Sequence, residues 1–121
     1  MRTVFGIDRL LADPGKYLKG KRFALLVNQS SVAADGKYLF EALLQQGFKP
    51  EKIFAPEHGL FGTEQDQITV ADEVDGFTGL KAVSLYGQTK DELKPRREGL
   101  EGLDALVVDI QDIGCRYYTY A

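Results

Sequence analysis

Asp109, Gln111, Asp112, Arg116, Tyr117 and Tyr118 crowd into one short stretch, directly after the apolar run at 105–108. Carboxylates give and take protons, an arginine fork grips an oxyanion in two parallel hydrogen bonds, and phenols pair a flat apolar face with a polar tip. The same set also suits a plain strand end, where a carboxylate caps the next helix and Arg116 pairs with another. The run itself is short, continuous and rich in β-branched residues, which predicts a strand buried on both faces. Ligands of open parallel α/β sheets bind outside the carboxyl ends of the strands, so polar groups at this exit are where a site is expected.

A second cluster, Ala55-Pro56-Glu57-His58-Gly59, follows another short apolar run. Glu57 and His58 are a carboxyl and an imidazole side by side, suited to general acid and base work or to metal ligation. In a purely structural role, His58 would cap a loop and Glu57 would pair with Arg116. The chain has a single His and a single Cys, so no zinc-ligand spacing exists. A hard cation on Glu57, Asp109 and Asp112 is chemically allowed, but no spacing directs one, and neither metal nor cofactor is expected. Asn28-Gln29-Ser30-Ser31 and Ser84-Leu85-Tyr86-Gly87 end two further apolar runs. The first offers amide and hydroxyl groups that suit sugar hydroxyls or an ordinary turn. No glycine-rich dinucleotide fingerprint, phosphate-binding loop or serine elbow occurs.

The elements that must position these groups follow from the apolar pattern. Residues 6–18 predict a short helix, a turn at Asp13-Pro14-Gly15, and a second helical turn beginning at Pro14. Strands are predicted at 22–27, 52–55, 80–86 and 104–110. A helix is predicted over 37–46 with Gly47 as its stop, and 90–100 should be partly helical with a break at Pro95. Residues 28–36 and 56–79 read as loops, the second of a length that is usually either functional or disordered. Parallel neighbours need crossover connections, so this order predicts an α/β fold, a three-layer Rossmann-like parallel sheet with helices on both faces. Four strand exits then bring Asn28, Glu57 with His58, Tyr86, and Asp109 through Arg116 to one rim.

Bulk properties narrow the alternatives. At 121 residues, 44% hydrophobic and 27% charged, the chain is one domain over 1–121. A net charge of −3 speaks against nucleic-acid binding. Lys94, Arg96 and Arg97 sit among Glu92, Glu98 and Glu101, as on a solvated helix face. Cys115, with no partner for a disulfide and the His remote in sequence, reads as a small buried residue. Neither a signal sequence nor a membrane span of ~20 apolar residues is visible, so a cytoplasmic location is expected, or a secreted or periplasmic one if a leader was removed. Because the sequence stops just after its densest polar cluster, a truncated chain is expected. Its uncovered Tyr117, Tyr118 and Tyr120 should favour self-association.

Taken together, VNQSSV (27–32), APEHG (55–59) with Gly62, GLKAVSLYG (79–87) and DIQDIGCRYYTY (109–120) resemble the amino-terminal part of the exo-β-N-acetylmuramidase family. These bacterial glycoside hydrolases, long classed as a domain of unknown function, release N-acetylmuramic acid from the non-reducing ends of peptidoglycan fragments. The resemblance implies a Rossmann-like amino-terminal catalytic domain, a smaller carboxyl-terminal domain, and an active site in the cleft between them. It also implies a saccharide substrate derived from peptidoglycan, no cofactor, and a role in cell-wall recycling. Glu57 becomes the favoured catalytic carboxyl, with His58 beside it and Asp109 or Asp112 as the second carboxylate. Asn28, Tyr86, Gln111, Arg116, Tyr117 and Tyr118 become substrate contacts, Arg116 facing the lactyl carboxylate of muramic acid. The isolated chain should be inactive without the remainder of the cleft. A non-catalytic sugar- or nucleotide-binding module of the same shape is the competing class.

Overall fold

Pro14 opens a helix in the computed structural model, which describes residues 3–56, 60–61, 73–74, 76, 79–85, 96–111 and 114. Helix α1 spans Gly6–Ala12 and α2 spans Pro14–Leu18. Pro14 needs no hydrogen-bond partner at a first helical position, and the preceding Asp13 side chain accepts from the Lys16 amide at 3.2 Å. Strand β1 (Phe23–Val27) leads through a loop to α3 (Leu39–Gln45). The α3 start is held by Glu41, which accepts from the Tyr38 amide at 3.2 Å. Its end is a Schellman turn: Gly47 takes φ +81°, its N–H donates to Leu44 O, and the Phe48 N–H donates to Leu43 O. The chain continues through β2 (Lys52–Ala55), β3 (Glu73–Val74), β4 (Lys81–Ser84), α4 (Arg97–Leu100) and β5 (Ala105–Asp109).

The strands form one sheet in the order β3-β4-β2-β1-β5. All pairings are parallel except β3 against β4. Register aligns Leu25 with Ile53 on one side and with Val107 on the other, so these side chains share a face. On that face Phe23, Leu25, Val27, Ile53 and Ala55 pack with Ile7, Leu18, Leu39, Phe40 and Leu43 from α1, α2 and α3. Full burial of each large apolar side chain contributes roughly 1.5–3 kcal/mol, which makes this the main stabilising layer. The opposite face carries Phe54, and α4 packs over it, so that a Cβ on Gly99 would meet the ring in ordinary contact at 3.8 Å. Lys52 reinforces the contact by donating from Nζ to Gly99 O at 2.8 Å. Helices therefore cover both faces, in three layers.

Two expectations need correcting. The run at 105–108 is not buried on both sides: Leu106 is 42% exposed and Val108 56% exposed. β5 lies at the sheet edge, and α4, the helix on that face among the described residues, packs over β2 instead. Second, the segment 56–79, read as loop, contributes β3, which adds an antiparallel edge strand to the parallel four. A strand of two residues is too short for any alternation to register. The helix expected within 90–100 is described only as α4, and residues 90–95 lie outside the described residues.

Candidate functional site

Parallel pairing puts the ends of β1, β2, β4 and β5 on one edge of the sheet. Asn28, Pro56, Leu85 and Ile110 are the first residues beyond them. Of the residues singled out in the sequence, Asn28, Asp109 and Gln111 lie within the described part. Glu57, His58, Tyr86, Asp112, Arg116, Tyr117 and Tyr118 lie outside the described residues, as does Cys115. The flanks of the Glu57–His58 segment are nevertheless fixed: Ala55 and Leu60 both belong to the buried core, at 4% and 9% exposure. The strand order sets the β2 exit beside that of β1, whose other neighbour is β5.

At the β1 exit the sequence Asn28-Gln29-Ser30-Ser31 folds into a tight turn. The Asn28 side-chain oxygen accepts from the Ser30 amide at 3.0 Å and from the Ser30 hydroxyl at 2.7 Å, the local pattern that Asn favours in turns. The Ser31 amide donates to Asn28 O at 3.0 Å. Both Asn28 and Ser31 are buried, which suits polar groups whose hydrogen bonds are met. Asn28 therefore shapes the turn that presents this edge.

Ser31 carries the link that sequence reasoning missed. Its hydroxyl accepts from the Asn28 amide at 3.1 Å and donates to the main-chain oxygen of Asp109. Val27 and Asp109 are partners in the β1–β5 register, so this bond locks the two strand exits together one step beyond the ladder. The signal was a serine pair directly after a strand, but nothing local says which hydroxyl reaches another strand. Asp109 is half-buried, and desolvation pushes its carboxyl above the usual carboxylate range. Gln111, beyond the strand end, is exposed.

A separate recess between α1, α3 and the loop at 33–37 contains none of the singled-out residues. Its polar groups bond one another: Lys37 Nζ donates to Gln45 at 3.1 Å, and Gln46 Nε2 to Leu11 O at 3.1 Å. Among the described residues no cluster of three or more His, Cys, Asp or Glu side chains forms a metal site. No described helix is long and apolar enough to cross a membrane.

An open α/β sheet, covered on both faces and gathering polar residues at its carboxyl edge, defines a domain of the Rossmann-like class. Within that class, the chain belongs to the family described as Exo-beta-N-acetylmuramidase NamZ, N-terminal, whose model matches residues 23–121. It is 43% identical over 116 residues to peptidoglycan beta-N-acetylmuramidase NamZ of Bacillus subtilis (strain 168). That match takes in 95% of this chain but 27% of the relative's length. Two crystal structures of DUF1343 family proteins from Bacteroides fragilis NCTC 9343 share the fold. One superposes with a TM-score of 0.76 at 36% identity, covering 95% of this chain and 28% of that one. The other gives a TM-score of 0.70 at 32% identity, covering 99% and 29%. The family is one of hydrolases of the bacterial cell wall, as the residue motifs implied.

Proposed function

We propose that the protein carrying this chain is an exo-acting glycosidase that releases N-acetylmuramic acid from the non-reducing ends of peptidoglycan fragments, and that residues 1–121 form the amino-terminal, Rossmann-like part of its catalytic unit. The observation that carries this reading is the 43% identity, sustained along 95% of the chain, to a peptidoglycan beta-N-acetylmuramidase. The geometry of the strand exits supports it. Glycoside hydrolysis commonly uses two carboxyl groups flanking the scissile bond, separated by ~5–10 Å. Adjacent strands lie about 4.8 Å apart, so the exits of β2 and β5, on either side of β1, are separated by roughly 10 Å before side chains extend.

In this reading Glu57 is the general acid that protonates the leaving oxygen, with His58 beside it. Asp109, already pushed towards the protonated form by burial, is the second carboxyl group at this edge, with Asp112 near it in sequence. Arg116 holds the lactyl carboxylate through its planar fork, and Tyr86, Tyr117 and Tyr118 give the sugar ring apolar faces. The deciding assay is hydrolysis of a chromogenic N-acetylmuramic acid glycoside by the full-length protein and by its Glu57→Gln variant. The wild type should turn over, and the variant should lose about 10²–10⁴-fold in kcat with its melting temperature held, the range that general acid catalysis supplies. Near-normal turnover by the variant would remove Glu57 from that role. A wild-type protein inert on muramic glycosides would defeat the reading as a whole.

A further inference from the structure

Ser31 has every polar atom engaged, and its partners belong to three different elements. Its N–H donates to Asn28 O at the β1 exit, and its carbonyl accepts from the Leu39 amide at the start of α3 at 3.0 Å. Its hydroxyl accepts from the Asn28 amide and donates to Asp109 O at the end of β5. Only 2% of the residue is exposed, so water does not replace these bonds. Residues 31 and 109 are 78 positions apart, which makes this a tertiary contact and not part of the local turn.

The strand ladder reaches Asp109 from one side and ends there. β5 is the outer strand of the sheet, paired on one side with β1 among the described residues, and its last registered pair is Val27 with Asp109. Beyond that pair, the Ser31 hydroxyl is a contact among the described residues that ties the peptide following Asp109 to the core. A carbonyl held at this point constrains the direction in which the chain leaves the strand, and with it the Asp109 carboxyl.

We infer that Ser31 is a positioning residue, holding Asp109 in the orientation that catalysis at this edge requires through the bond from its hydroxyl to the Asp109 carbonyl. The inference rests on the reading of Asp109 as part of the glycosidase site. Ser31 itself touches no reacting atom. Its loss should therefore act on turnover more than on substrate affinity, because a misplacement of about 1 Å can cost on the order of 100-fold in rate.

The test compares the full-length wild type with Ser31→Ala and Ser31→Thr on a chromogenic N-acetylmuramic acid glycoside, with crystal structures of the wild type and the alanine variant. Ser31→Ala should lower kcat roughly 10- to 100-fold while KM stays within about threefold, since positioning and not binding is lost. Ser31→Thr, which keeps the hydroxyl, should recover most of that kcat. The alanine crystal structure should show the 109–111 main chain displaced while the core strands superpose. Wild-type kcat in Ser31→Ala would overturn the inference, and so would an alanine structure superposing at 109–111. Equal losses in a folded Ser31→Thr would trace the effect to packing and overturn it too. If the wild type hydrolyses nothing, the proposed function fails, while the two crystal structures still decide whether Ser31 positions Asp109.

Discussion

Asp104 and Asp109 bracket β5 and meet opposite environments. Asp104, on the amino side of the strand, accepts from the Arg22 amide at 2.8 Å and faces the Arg22 guanidinium at 3.4 Å. The backbone hydrogen bond from Arg22 is the leading cause that holds its carboxyl below the usual range, with the guanidinium adding to it. Asp109, at the carboxyl side, is pushed the other way by burial. At the amino edge the protein satisfies a carboxylate with its own arginine and gains a fixed strand entry. At the carboxyl edge it half-buries a carboxyl, and desolvation pushes that group towards the protonated form, a state that proton-transfer chemistry uses. The two ends of one strand thus shift a carboxyl in opposite directions, and the direction of the chain decides which end is which.

Replacement of Asp109 should separate the two ends most sharply. In the full-length protein, Asp109→Asn should lower kcat on a muramic glycoside by about 10²–10⁴-fold, the range for loss of an acid–base group. Thermal stability at neutral pH should hold or rise, because the variant no longer carries a desolvated charge. The raised pKa means that the folded state binds a proton more tightly than the unfolded state. Asp109 therefore costs stability as pH climbs from the ordinary carboxylate value through its raised one, and thermal melts across that range should show the cost vanish in the variant. Unchanged turnover together with lower stability would make Asp109 as structural as Asp104.

The comparison extends to the arginines. Arg22 serves a carboxylate of the protein, whereas Arg116 is proposed to serve one on the substrate. Arg116→Lys should raise KM for muramic substrates roughly tenfold, the equivalent of one charge-assisted hydrogen bond, and erode the preference over N-acetylglucosamine glycosides. Selectivity equal to wild type would show that another residue reads the lactyl group.

Asp104→Asn should have the smallest effect and leave kcat and KM unchanged. Its stabilising contribution is present above the unfolded-state pKa and is lost as pH falls through the lowered folded value. The variant should melt slightly below the wild type at neutral pH, and the gap should close in acid. A drop in turnover would mean that the strand entry also governs the site.

Much of the framework was legible before any coordinates. The 52–55 strand matches β2 residue for residue, and Pro14 and Gly47 mark a helix start and stop because each suits a backbone state that other residues resist. The run at 105–108 misled for a physical reason. Apolar side chains on an edge strand look the same in sequence whether or not a layer covers them, and Leu106 and Val108 are exposed. In the site, Asn28 and Asp109 were marked by their places after apolar runs. Ser31 was not, because its role depends on a bond to a strand 78 positions away.

By itself the sequence determined the order of the four parallel strands along the chain, the start of α2 and the stop of α3, since apolar periodicity, a proline's fixed φ and a glycine's access to positive φ act within a few residues. It also determined the family, through motifs that each follow an apolar run. Tertiary structure alone decided that β1 lies between β2 and β5, that Ser31 closes on Asp109, and that the aspartates at either end of β5 are shifted in opposite directions. Those outcomes follow from desolvation and from contacts between segments distant in the chain, and no local pattern of side chains encodes either one.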